Sequence, residues 1–159
     1  MKALAYALGR GLKDILYVET ALAPALQSLA EAAAHKELRG ALERHAAETV
    51  QQAKIVKDIL RSVGMKAETG QSAALEGLLA DCRRSAAEAE ASARDAIIVV
   101  GAQTIKHYEI ARYGALREWA KTLGYDEAHM LLTTILDEER AANLKLNNLA
   151  INSLNPTAI

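Results

Sequence analysis

The sequence predicts an all-α fold: a bundle of four long helices in two antiparallel hairpins, with a helical crossover between the second and third. Three observations predict it. The chain of 159 residues has no Phe and two Pro, and much of its 51% hydrophobic content is Ala and Leu, which lose little side-chain freedom in a helix. Apolar residues recur at helical spacing through four long segments. The second and third segments stop at Gly64 and Gly124, the residue type that most readily ends a helix.

The first segment covers residues 3–34, with a stripe of Leu12, Ile15, Leu16, Leu22, Leu26 and Leu29. Pro24 lies inside it, where a missing N–H predicts a kink or a break. The second covers residues 36–63 through Leu38, Leu42, Ile55, Ile59 and Val63. Residues 65–71 are polar and read as a loop, and the Ala-rich residues 72–91 read as one or two shorter helices. The third long segment starts near Ser92, where Ser92-Ala-Arg-Asp95 has the form of a capping box with Asp for Glu. It runs through Ile98, Ile105, Leu116 and Leu123. The fourth starts at Asp126 and runs through Leu131, Leu132, Ile135, Leu136, Leu146 and Leu149, leaving residues 152–159, with Pro156, as a frayed tail. Tight connections make each outer pair a hairpin, and one long crossover between hairpins is the ferritin-like arrangement. Matched spacings support a duplication: 29 residues separate Glu19 from Glu48 and Glu109 from Glu138.

The length suits one domain, 1–159, with a single core. A net charge of −1, from 19 basic and 20 acidic residues, gives no basic footprint for nucleic acid. No apolar run approaches the length of a membrane span. Lys2 and the apolar residues after it faintly resemble a leader, but Gly9-Arg10-Gly11, Lys13 and Asp14 interrupt the run too early. A lone cysteine, Cys82, can form no internal disulfide and suits a reducing, cytoplasmic compartment; it needs no role.

The chemistry is expected where the stripes carry acid. Each long segment has a Glu at its middle: Glu19, Glu48, Glu109, and either Glu138 or Glu139. The apolar stripe of the fourth segment favours Glu139, while the duplicated spacing favours Glu138. Mid-helix positions of an up-down bundle meet at one level, so these carboxylates converge in an apolar interior. Like charges there cannot all stay ionised, and each costs several kcal/mol unpaired. Metal cations relieve both problems, and oxygen-rich sites with an imidazole suit iron or manganese. His45, three residues before Glu48 and on the same helix face, supplies the nitrogen. The candidate metal ligands are therefore Glu19, His45, Glu48, Glu109, Glu138 and Glu139. Each Glu alone reads as a solvated surface group and His45 alone as a core-satisfied one; their matched depth argues for a site. His107 lies about 200° round the helix from Glu109 and is left out. Tyr113 reads as a packed core residue that could hydrogen-bond a carboxylate, and Gln51 and Gln52 as supporting amides or surface.

At these residues the chain resembles a known family. Asp14-Ile-Leu-Tyr-Val-Glu19, His45-Ala-Ala-Glu48-Thr49, His107-Tyr-Glu-Ile-Ala-Arg-Tyr-Gly114, Leu136-Asp-Glu-Glu139 and Leu149-Ala-Ile-Asn152 resemble the YciE/YciF-like bacterial stress proteins. The crossover block Ala74-Leu-Glu-Gly-Leu78 fits as well, so the resemblance spans nearly the whole chain. It implies a ferritin-like bundle related to rubrerythrin and bacterioferritin, a homodimer and a di-metal centre with two irons, or manganese, per chain. It implies no defined reaction. Ferritin-like enzymes use Glu-x-x-His on two helices; here the order is His45-x-x-Glu48, Gln51 stands where that His would be, and Ala141 and Ala142 follow Glu138 and Glu139 by three. Two functions compete on these residues: a carboxylate metal protein reacting with O₂ or peroxide, and a non-catalytic structural or interaction protein of the stress response. Iron storage in a shell is disfavoured, since nothing indicates a cage-forming surface.

Overall fold

The computed structural model describes residues 3–159. Among them are five α-helices and no strand: α1 (Ala3–Ala32), α2 (Lys36–Ser62), α3 (Ala73–Glu88), α4 (Arg94–Leu123) and α5 (Asp126–Leu149). Four of the helices are long, and the fifth, α3, is the crossover. Helix α1 packs against α2 and α4, α5 packs against α4 and α2, and α3 lies on α4. The long helices therefore enclose a common interior. Leu8, Leu12, Ile15, Leu16, Leu22 and Leu26 of α1 are fully buried in it, facing Leu38, Leu42, Ile59, Ile98, Ile105, Leu132 and Ile135. Each such side chain contributes about 1.5–3 kcal/mol on burial, the scale against which the charges buried among them are offset. Among the described residues, no helix is long and apolar enough to cross a membrane.

The helix stops fall where the sequence places them. Gly64 and Gly124 have φ of 76° and 78°, a left-handed conformation that glycine adopts without a Cβ clash. After α2, Met65 N–H bonds Leu60 C=O at 2.8 Å and Gly64 N–H bonds Arg61 C=O at 3.0 Å; after α4, Tyr125 and Gly124 repeat the pattern on Ala120 and Lys121. These are Schellman closures, which satisfy the last carbonyls of a helix.

Three local expectations are corrected. Of the kink or break expected at Pro24, the break does not occur: α1 continues through it, one missing N–H being outweighed by the buried leucines on either side. The tail is not frayed: Ala150–Leu154 form a π-helical turn and Asn155–Thr157 a 3-10 turn, held by the buried Leu154. The capping box does not form, and α4 begins at Arg94 with no side-chain cap. Asp95 turns instead to the α1–α2 connection, accepting from Ala34 N–H at 3.0 Å and His35 N–H at 2.7 Å.

The crossover is fastened in the same way. Gly70 N–H bonds Lys13 C=O at 2.8 Å, Gln71 N–H donates to Asp14 at 3.3 Å, and the Ser72 and Tyr108 hydroxyls lie 2.8 Å apart. Cys82 has a packing role after all. A Cβ on Gly101 would sit 2.1 Å from its Sγ, so α3 approaches α4 at a Gly–Cys contact.

Asp95→Ala removes both bonds to the first connection and is expected to cost about 1–2 kcal/mol, by analogy with lost helix caps and charge-assisted bonds. Urea denaturation measures it. A midpoint unchanged from wild type would show that the connection is held without Asp95.

Candidate metal centre

Halfway along the interior, each long helix turns an ionisable group inward. Glu19 of α1, His45 of α2, Glu109 of α4 and Glu139 of α5 are all buried. On α2, His45, Thr49 and Gln52 recur at four- and three-residue steps and form one inward row, all buried. On α4, Lys106, Glu109 and Tyr113 continue the stripe of Ile98, Ala102 and Ile105 and are buried with it.

The ligand atoms of His45, Glu109 and Glu139 lie within 4.8 Å of one another. His45 Nε2 is 3.9 Å from Glu109 Oε2. Glu139 is held on both oxygens: Gln52 Nε2 donates to Oε1 at 2.9 Å, and the Lys106 ammonium donates to Oε2. Lys106 Nζ also lies 3.7 Å from Glu109 Oε2, too long for a hydrogen bond. Glu19 accepts from the Tyr113 hydroxyl on Oε1. The remaining polar atoms of these residues are orphaned: Glu19 Oε2, both oxygens of Glu109 and both ring nitrogens of His45 have no partner. Buried polar atoms normally find one, and a cluster of unpartnered carboxylate oxygens with an imidazole is the donor set a transition metal takes.

Electrostatics report the same strain. Burial, followed by the Glu139 charge, pushes Glu19 up to about 8 from an ordinary 4.5, against the pull of Tyr113 and Lys106. Burial also holds Glu109 well above its ordinary range; the Lys106 charge opposes this, and Glu139 and Glu19 add to it. His45 is held well below 6.5, first by burial and then by Lys106, so its imidazole is neutral and able to ligate.

Of the six expected ligands, four sit in the interior. Glu48 and Glu138 do not: both are exposed and line the mouth of a pocket of about 180 Å³ that opens inward onto His45 and Lys106. Glu48 lies about 60° round α2 from His45, on the edge of the inward row. Glu138 is reached only by Gln52 Nε2, at 3.1 Å. Between the two readings of the fourth helix, the apolar stripe is right about burial, and Glu139 is the interior residue. Ala141 and Ala142 also line the pocket, so the positions lacking the second histidine are open space. His107 is exposed, as its position implies, and Gln51 is exposed while Gln52 is buried. Lys106 is the residue the sequence reading missed. Its signal was its place on the stripe, four after Ala102 and three before Glu109.

Comparison with known proteins agrees with the all-helical fold. The family described as "Domain of unknown function (DUF892)" matches residues 4–158. The chain belongs to that family. It is 36% identical to protein YciF of Escherichia coli K12 over 149 residues, covering 92% of this chain and 90% of YciF. The crystal structure of the E. coli stress protein YciF superposes with a TM-score of 0.91 at 35% identity, covering 98% of this chain and 99% of that one. YcfI of Rhodopseudomonas palustris, described as a candidate structural protein, gives 0.89 at 38% identity over 92% of this chain and 94% of its own. A protein of Xanthomonas campestris shares the fold at 22% identity, with a TM-score of 0.73 over 92% and 91% of the two chains.

A carboxyl with a raised folded pKa binds more protons folded than unfolded, so its contribution is present at low pH and lost as pH rises. For Glu19 the loss runs from about 4.5 to about 8. His45, shifted down, costs stability only as pH falls below 6.5. Between pH 6.5 and 8 the carboxyls govern, and the Tm of chelator-treated protein is expected to fall across that interval. A Tm that rises there would contradict the burial of these groups.

Proposed function

We propose that this protein is a ferritin-like four-helix-bundle metal protein of the bacterial stress response, binding iron or manganese at His45, Glu109 and Glu139, with Glu19 beside them. The observation that carries the reading is the set of orphaned atoms. His45 Nε2 and Glu109 Oε2 face each other at 3.9 Å with no hydrogen-bond donor for either oxygen of Glu109. Three carboxylates and one imidazole in an enclosed interior favour iron or manganese over zinc.

The chain's own residues divide the work. Glu109 and His45 offer the open ligand atoms. Gln52 and Lys106 fix the orientation of Glu139, and Tyr113 fixes Glu19, as second partners of metal ligands do. The pocket between Ala141, Ala142 and His45 admits a small molecule to one side of the cluster, while the leucines of α1 and α4 exclude water from the other. A bound iron or manganese would supply there a redox couple suited to O₂ or peroxide. The resemblance also leads us to propose a cytoplasmic homodimer.

A second reading has its own observation. Lys106, Glu139 and Gln52 already join α4, α5 and α2 without an ion, as a structural protein would need.

Tag-free protein loaded anaerobically with Fe(II) or Mn(II) is expected to retain metal on desalting. Glu109→Gln, which keeps the shape and removes the charge, is expected to weaken binding at least about tenfold, and binding at pH 7 is expected to release protons, because a ligating carboxyl must ionise. Calorimetry and a pH indicator read both. Retention of no metal by the wild-type protein would leave the structural reading in front. Light scattering of the same preparation should give twice the 17.1 kDa chain mass, and a single chain mass would remove the dimer.

A further inference from the structure

We propose that Lys106 is a built-in cation occupying the place of a second metal, so that the site takes one divalent ion and not two. This deepens the metal-binding reading above and rests on it. Lys106 is fully buried, an unusual state for a lysine unless it is paired. Its ammonium donates to Glu139 and lies 3.7 Å from Glu109, so it stands beside two of the three residues whose ligand atoms converge. An ammonium in that position does electrostatically what a metal does there: it offsets the repulsion of two buried carboxylates and satisfies an oxygen of one of them.

The remaining oxygens divide into two groups. On the Lys106 side, Glu139 has both oxygens engaged, one by Lys106 and one by Gln52. Glu109 and His45, by contrast, have all their side-chain polar atoms unpartnered, and Glu19 keeps one free oxygen. Of these open ligand atoms, His45 Nε2 and Glu109 Oε2 face each other at 3.9 Å. Charge gives the same answer. With all three buried carboxyls ionised, the one ammonium leaves two negative charges, which one divalent ion neutralises. A second ion would leave an excess of positive charge in a buried site, at a cost of several kcal/mol. The two acids that could offset it, Glu48 and Glu138, are exposed at the pocket mouth, where water already solvates them. The two-metal centre expected from the family resemblance therefore does not fit these residues, whereas a one-metal centre does.

Mn(II) titration of wild-type protein, followed by metal analysis and electron paramagnetic resonance, tests this without any variant. It is expected to saturate at about one ion per chain and to give the spectrum of an isolated ion. Lys106→Glu replaces the internal cation with a further ligand and is expected to raise the ratio to about two, with the spectrum of a coupled pair. Lys106→Met, which removes the cation without adding a ligand, is expected to depend on metal for folding, seen as a larger rise in Tm on metal addition than in wild type. Two coupled ions in wild type would overturn the inference and leave the metal-binding reading intact. One ion in both wild type and Lys106→Glu would equally overturn it. No ion in wild type would overturn the metal-binding reading itself, and the inference with it. Should Lys106→Glu fail to fold, the wild-type ratio and spectrum decide alone.

Discussion

Glu139 is gripped from two sides, by the Lys106 ammonium and the Gln52 amide, and this arrangement ties together three helices at the level where the interior is most polar. Removing one partner of a buried charge pair costs about 3–5 kcal/mol, because the other is left uncompensated. The helices α2, α4 and α5 are consequently fixed in register at their midpoints by charge, and along the rest of their length by leucine and isoleucine. Glu19 and Tyr113 do the same for α1 and α4. The polar layer is where the four long helices must agree on a common depth.

That layer is only half satisfied. Glu139 and Glu19 are each oriented by donors, whereas Glu109 and His45 have none. A partly satisfied polar network in a low-dielectric interior is destabilising, and the raised carboxyls and lowered imidazole are its signature. The asymmetry has a functional reading: oriented carboxylates flank the open Glu109, and the open His45 lines a pocket together with two alanines. In the proposed metal-binding reading, a bound cation would offset that cost.

Much of this was legible in the sequence, because helical periodicity fixes which residues face inward. Glu19 and Glu109 fall on unbroken stripes and are buried as expected. So is Glu139, where periodicity and the duplicated spacing disagreed; the stripe reports burial directly, and the spacing only ancestry. Glu48 was placed by its mid-helix position and His45 by its three-residue step from Glu48, but the inward row of α2 runs from His45 through Thr49 and Gln52 and leaves Glu48 on its edge. Lys106 stayed hidden because a lysine reads as a solvated residue unless its partners are known, and those partners come from α5. Asp95 was hidden for the same reason. Its position matched a local cap, and its actual partners, Ala34 and His35, lie 61 and 60 residues away. Local pattern finds faces, and long-range pairing decides which polar residues on those faces meet.

In the proposed site His45, Glu109 and Glu139 hold a metal ion in the interior of the helices. Anomalous diffraction from crystals grown with Mn(II) or anaerobic Fe(II) would locate it. A peak is expected at bonding distance from His45 Nε2 and a Glu109 oxygen, with Lys106 still on Glu139. An interior without such a peak at full metal loading, or a peak only at the exposed Glu48 and Glu138, would contradict it.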